Sequence, residues 1–367
     1  MKFKLNLDQV DEILSEFGVT LKAAKEAGAH LRSRPSRTGR KSPAQIEQEN
    51  LEAVEKGRDL DKIENPSERV TLAAIKRDAR QIRFVKNPSE ALQLEALQVN
   101  YIWYVKDVIG SIENPTEAAK MLAVRRCGAV IEHISQPWSD ELVMEAINQD
   151  GMVLELVGIR HFKLAPPENV CLTAVRQDPH AIRLVQNQTE EMKLEAVSRA
   201  GILLEFVKKP SEEVQLEAVR QNGDAIKFVK NPSMRVQLEA VRQRPASIRF
   251  VENPSEEVQL EAIHFSPNAI VDIDNPTPAV VMEAVSANGM LVQNRSFSLT
   301  DEMKLAAVRQ NGLALQFFKN EPEILLEELE LAAVKQNWQA MQFVMNPSAE
   351  VLREFLTHYV TETVMKA

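Results

Sequence analysis

The chain has 367 residues, 44% of them hydrophobic, and a net charge of −9. That apolar share suffices for a folded core, while the lack of any run of about 18 apolar residues excludes a membrane-spanning helix. Its two cysteines, Cys127 and Cys171, exclude a disulfide framework and suit a reducing compartment.

In chain order, residues 1–31 form an N-terminal helical segment, with helix expected over roughly Leu7 to Ala29. The opening stretch MKFKLNLDQVDEIL lacks the apolar core of a signal peptide, so a cytoplasmic location is expected. Residues 32–42 read as a flexible basic linker rich in Arg, Ser, Pro and Gly. Residues 1–41 hold nine basic and five acidic residues, so the rest of the chain carries −13.

From residue 43 to 345 the chain repeats itself about every 22 residues, as in PSEEVQLEAVRQNGDAIKFVKN from Pro210 and PSMRVQLEAVRQRPASIRFVEN from Pro232. An alanine marks the register in thirteen copies: Ala53, Ala74, Ala96, Ala123, Ala146, Ala174, Ala196, Ala218, Ala240, Ala262, Ala284, Ala307 and Ala333. A degenerate copy, residues 346–367, is expected to cap the array. Self-similarity at a fixed period means stacked units that share one elongated core.

Each copy is expected to hold two helices. Asn-Pro dipeptides such as Asn231-Pro232 and Asn253-Pro254 suit an N-cap followed by the first helical residue, and Glu256 falls where a capping box places it. The first helix then runs about 12 residues and stops at an Asn, Asp or Ser four past the alanine (Asp78, Asn222, Asn311). The next column alternates Gly (Gly201, Gly223) with Pro (Pro179, Pro245). Proline cannot take a positive φ, so that column reads as a second helical start. A short, partly 3₁₀ helix carrying Ala225, Ile226, Phe228 and Val229 follows. Val214, Leu216, Ala218 and Val219 cover about 200° of the first helix, so each is gripped by the copy before and the copy after. Gln215 falls inside that arc, and its column varies. The expected fold is all-α, a curved α-solenoid of about 13 two-helix repeats.

The stretches Ala307-Val308-Arg309-Gln310-Asn311-Gly312 and Ala218-Val219-Arg220-Gln221-Asn222-Gly223 resemble a tandem-repeat domain of unknown function found in bacterial and viral proteins. Its mark is an A-V-x-x-N-G core followed by a small residue and a hydrophobic pair, here Ala314-Leu315 in the first stretch. The resemblance covers about residues 45–355. A weaker similarity is to leucine-rich repeat variants, which pair an α-helix with a 3₁₀-helix around an Asn-Pro element. The resemblance implies a repeat type and no activity. By analogy alone it suggests a phage or pathogen–host setting.

Candidate binding residues lie where the period breaks, because insertions in a solenoid emerge as loops. The first break holds Tyr101, Trp103 and Tyr104, with Trp138 in the copy after next. Two readings stand: binding anchors, or core residues replacing the usual Ile and Phe. The second break holds Arg160, His161 and Phe162, and the third holds Asn294, Arg295 and Phe297. A fourth, Glu321 to Leu329, lengthens a helix.

A basic column two past the alanine (Arg176, Arg220, Arg242, Arg309) follows a glutamate just before the alanine (Glu217, Glu239), so i,i+3 pairing on the helix surface is expected. The other reading joins that column to Arg32, Arg34, Arg37, Arg40 and Lys41 as a phosphate-binding set.

Cys-x-x-Cys, His-Glu-x-x-His, Gly-x-Ser-x-Gly and phosphate-cradling Gly-rich motifs are missing, and the histidines show no metal-ligand spacing. No catalysis, metal or cofactor is expected. The expected role is a protein-binding scaffold, adaptor or inhibitor whose partner has a basic surface, for example a protein that handles nucleic acid. Nucleic-acid binding is the alternative, and a site around His161 a third reading. A homodimer through a terminal repeat is compatible with the atypical C-terminal segment.

Overall fold

The computed structural model describes residues 41–98, 101–162, 165–294 and 298–360. The N-terminal segment, Arg32, Arg34, Arg37, Arg40, Arg295 and Phe297 lie outside the described residues. The chain divides into two compact units between Gln98 and Val99. Every regular element among the described residues is helical, and within each unit successive helices pack on one another in order. The fold is an all-α repeat solenoid.

A copy consists of a ten-residue α-helix, Glu212–Gln221, and a six-residue 3₁₀ helix, Gly223–Phe228. The α-helix is shorter than the expected 12 residues because its cap is not the asparagine. Ser211 is the N-cap and accepts from the Val214 N–H, and Ser67, Ser233, Ser255 and Thr277 do the same in their copies. Glu256 therefore forms no capping box with Asn253. Asn65, Asn87, Asn231 and Asn253 instead take φ of 47°, 48°, 54° and 48°. Asparagine tolerates this left-handed conformation better than most residues, so the Asn-Pro dipeptide turns the chain out of one copy and Ser or Thr starts the next.

The second start is as expected. Asn222 is extended (φ −151°, ψ 108°) and its side chain accepts from the Asp224 N–H. Asp78, Asp178, Asn288 and Asn311 cap their 3₁₀ helices in the same way.

Packing explains the invariant columns. Ala218 and Val219 are fully buried, as is the alanine of every copy from Ala74 to Ala333. A Cβ on Gly201 would stand 2.2 Å from the Ala218 carbonyl oxygen of the next copy, so glycine is there for closeness of backbones. The Gly201 N–H donates to Gln221 Oε1 at 2.6 Å, and Gly223–Gln243, Gly289–Gln310 and Gly312–Gln336 repeat the bond at 2.6, 2.7 and 2.6 Å. Where proline removes the N–H, at Pro179, Pro245 and Pro267, the facing position holds Arg199, Phe265 and Ala287 instead of glutamine.

The column of Gln215 also has a task. Its Nε2 donates to the Pro210 carbonyl at 3.1 Å, and Gln237 and Gln259 bond Pro232 and Pro254 at 2.9 Å each. In the copies that carry glutamine here, the amide fastens the long helix to the turn that precedes it.

Candidate partner-binding surfaces

The arginine column pairs mainly across copies rather than within one helix. Arg220 Nε lies 3.1 Å from Glu239 Oε1 of the next copy, against 3.9 Å from its own Glu217. Arg242 reaches Glu261 at 2.5 Å and Arg176 reaches Glu191 at 2.6 Å. These exposed pairs contribute little each, about 0–1 kcal/mol, but they take up the charge that a phosphate would need. Arg309 faces a copy with Ala332 in place of the glutamate and has no ion pair within 4.0 Å among the described residues. Lys41 pairs with Glu49 at 2.5 Å.

At the first break the two readings separate by residue. The helix Ile102–Gly110 buries Val105, Val108 and Ile109, while Trp103 remains 59% exposed and Tyr101 55%. The Tyr101 and Trp103 rings stack with centroids 5.1 Å apart, and Tyr104 meets Tyr101 edge-on at 6.0 Å. The aromatics thus form a small surface cluster, and the core is filled by the valines and isoleucine behind them.

Trp138 corrects the sequence reading. It is 5% exposed, and its indole Nε1 donates to the Ile134 carbonyl at 2.9 Å. It is a core residue with a satisfied polar edge and no face for a partner. The second break packs against the same copy. Residues Gly158–Phe162 form a single π turn, His161 Nε2 lies 2.9 Å from Asp140 Oδ1, and the Arg160 carbonyl accepts from Gln136 Nε2 at 3.0 Å. The His161 ring lies over Trp138, and Phe162 meets it edge-on. This holds His161 in place, leaving Ile159 and Arg160 exposed. At the third break Asn294 is the one of the three candidate residues that lies among the described residues. It ends the 3₁₀ helix Gly289–Gln293 with its N–H on the Leu291 carbonyl.

The fourth break lengthens a helix as expected: Glu323–Gln336 has 14 residues where the long helix before it has ten and the one after it eleven. The terminal helix Ala349–Tyr359 buries Val351 but leaves Leu356 54% exposed, in a column that is buried in Val219 and Val308. That is the end face on which the suggested homodimer would form.

Two features went unremarked in the sequence. The exposed acids of the first turns, Glu213, Glu257 and Glu302, occupy the same place in alternate copies, with Arg235 and Ala279 at that place in the copies between, and make a spaced row. Glutamate there also faces the favourable end of the helix dipole, so folding tolerates the row. The other is Glu330, a glutamate that is only 7% exposed, in the variable column of Gln215. Among the described residues no cluster of three or more His, Cys, Asp or Glu is placed to hold a metal ion, and no helix is long and apolar enough to cross a membrane. No protein-family model, curated protein or solved structure matches the chain.

Proposed function

We propose that the protein is a non-catalytic binding scaffold, an adaptor or inhibitor, whose partner is a protein with a basic surface. The row of first-turn glutamates carries this reading. Copies stacked at a fixed period put Glu213, Glu257 and Glu302 on one side, exposed, in every second copy, and their potentials add along the stack, offset in part by Arg235 between the first two. The Tyr101–Trp103 cluster supplies the kind of exposed aromatic surface that anchors protein interfaces. A protein that normally handles nucleic acid would offer such a basic surface, and occupying it would make this chain an inhibitor.

The nucleic-acid alternative loses support from the arginine column, since Arg176, Arg220 and Arg242 are each matched by a glutamate. It rests now on Arg309 and on the linker arginines.

The test is affinity capture from the native cell, with and without nuclease, using wild type and the triple variant Glu213→Lys/Glu257→Lys/Glu302→Lys. A stoichiometric protein that survives nuclease and is lost on the variant supports the proposal. A partner retained equally by the variant refutes the electrostatic part. Recovery of nucleic-acid fragments alone favours the alternative.

A further inference from the structure

Glu330 is the sole charged side chain among the buried residues described, and it has no hydrogen bond or ion pair there. Its column explains why. Glutamine in this column donates to the proline carbonyl of its own turn, as Gln215, Gln237 and Gln259 do. Lysine in this column reaches outward: Lys304 Nζ meets Glu321 at 2.8 Å and Asp301 at 3.1 Å. An ionised glutamate has no proton to donate, so Glu330 turns to neither.

What it lines is an open groove between two successive turns. The other walls include Glu321, Glu323, Glu327, Leu326 and Phe343. The four-residue extension of the helix Glu323–Gln336 contributes Glu323 and Leu326, so the groove belongs to this irregular copy. Lys304 is already engaged with Glu321, and Lys319 holds its ammonium 6.0 Å from the centre of the Phe343 ring, not on Glu330. A cation against that ring is therefore already accommodated. Burial, and then the neighbouring Glu327, pushes the Glu330 carboxyl above the usual carboxylate range. The side chain is buried but its carboxyl oxygens reach the open groove, so the carboxylate is partly desolvated and a cation entering the groove would meet it without a competing protein partner.

We propose that this groove receives the side chain of an arginine from the partner protein, its guanidinium on Glu330 and its aliphatic stem and planar face against Leu326 and Phe343. Arginine fits better than lysine because a flat, forked cation can both bond a carboxylate and stack on a ring. The assignment rests on the scaffold reading above and names the chemistry of its partner. It needs a position at the end of the array and not the first-turn row.

The test uses the tripeptide acetyl-Gly-Arg-Gly-amide, titrated into the full chain at physiological salt. Met345 lines the groove and is 84% exposed, so its ¹³C-labelled methyl group is the reporter, assigned with Met345→Leu. Saturable shifts of the Met345 methyl are expected, weakened at least tenfold in Glu330→Gln, with the lysine analogue at least tenfold weaker than arginine. Unchanged affinity in Glu330→Gln, equal binding of the lysine peptide, or no shift at Met345 overturns the assignment. The charge-reversed row variant separates the two proposals. If peptide affinity falls there but not in Glu330→Gln, the scaffold reading stands and the pocket does not. A wild-type circular dichroism spectrum for Glu330→Gln, with a melting transition no lower than that of wild type, ensures that lost binding reflects the lost carboxylate.

Discussion

Replacing Gln221 by alanine probes how adjacent copies are held in register. Gly201 is buried, and its N–H donates to Gln221 Oε1 at 2.6 Å across the interface between copies. Alanine leaves that N–H facing its neighbour with no acceptor. Stranding a buried donor costs about 1–3 kcal/mol. The Gln221 side chain is itself exposed, so water relieves part of the loss, and a destabilisation of about 1–2 kcal/mol is expected. Gln221→Glu keeps an oxygen at the same reach and should stay within about 0.5 kcal/mol of wild type. Gly201→Ala should be worse, about 3 kcal/mol, because its Cβ would meet the Ala218 carbonyl oxygen at 2.2 Å and backbone cannot swing aside. Urea unfolding followed by circular dichroism compares the midpoints, each variant against wild type, since a solenoid loses stability through its nearest-neighbour interfaces. If Gln221→Ala unfolds with wild type, or if Gln221→Glu is as damaging as alanine, the glutamine is not there as an acceptor and the account of the Gly–Gln columns fails.

Ala218→Leu forces extra volume into a fully buried column and should destabilise by about 1–3 kcal/mol in the same assay, with a neutral result meaning the packed column is misassigned. Asn253, at φ 48°, should lose about 1 kcal/mol on replacement by alanine and none on replacement by glycine, and equal urea midpoints for the two variants would contradict the left-handed turn. Glu330 binds its proton more tightly folded than unfolded, so it favours folding below the unfolded value of about 4.3, and that contribution is lost as pH rises through the raised folded pKa. Glu330→Gln should therefore have a higher Tm than wild type near about pH 8 and the same Tm near about pH 4, and equal Tm values at both would refute the raised pKa.

The period, the two helices per copy and the alanine register are legible in the sequence because stacking imposes the same contact on every copy. The function of Asn-Pro is not, because asparagine suits both an N-cap and a left-handed turn. Ser255, two residues after Asn253, was the informative neighbour, since a hydroxyl there caps better placed N–H groups. The Gly–Gln coupling is also written in the chain, glutamine following glycine by one copy and missing after Pro179, Pro245 and Pro267. It becomes readable only once the copies are known to touch along that line. Trp103 and Trp138 show the remaining gap. Rarity marks both, yet one lies on the surface and the other in the core, and only the neighbouring turn of chain decides which.

The charge on the array follows from the same stacking. Arg176, Arg220 and Arg242 each meet a glutamate of the next copy, so the acidic surplus there falls on residues outside the ladder. Two kinds among them bear on a partner. Glu213, Glu257 and Glu302 are exposed and repeated, and such charges act at a distance and are screened by salt. Glu330 is buried and occurs once. A partner drawn by the first kind associates faster without being selected closely, whereas a desolvated contact with the second governs how long it stays. For the captured partner, raising salt should therefore slow association with wild type and with Glu330→Gln alike. Glu330→Gln should instead speed dissociation at every salt concentration. Surface plasmon resonance on the two proteins separates these rates, and a dissociation rate unaffected by Glu330→Gln would confine the interaction to the exposed row.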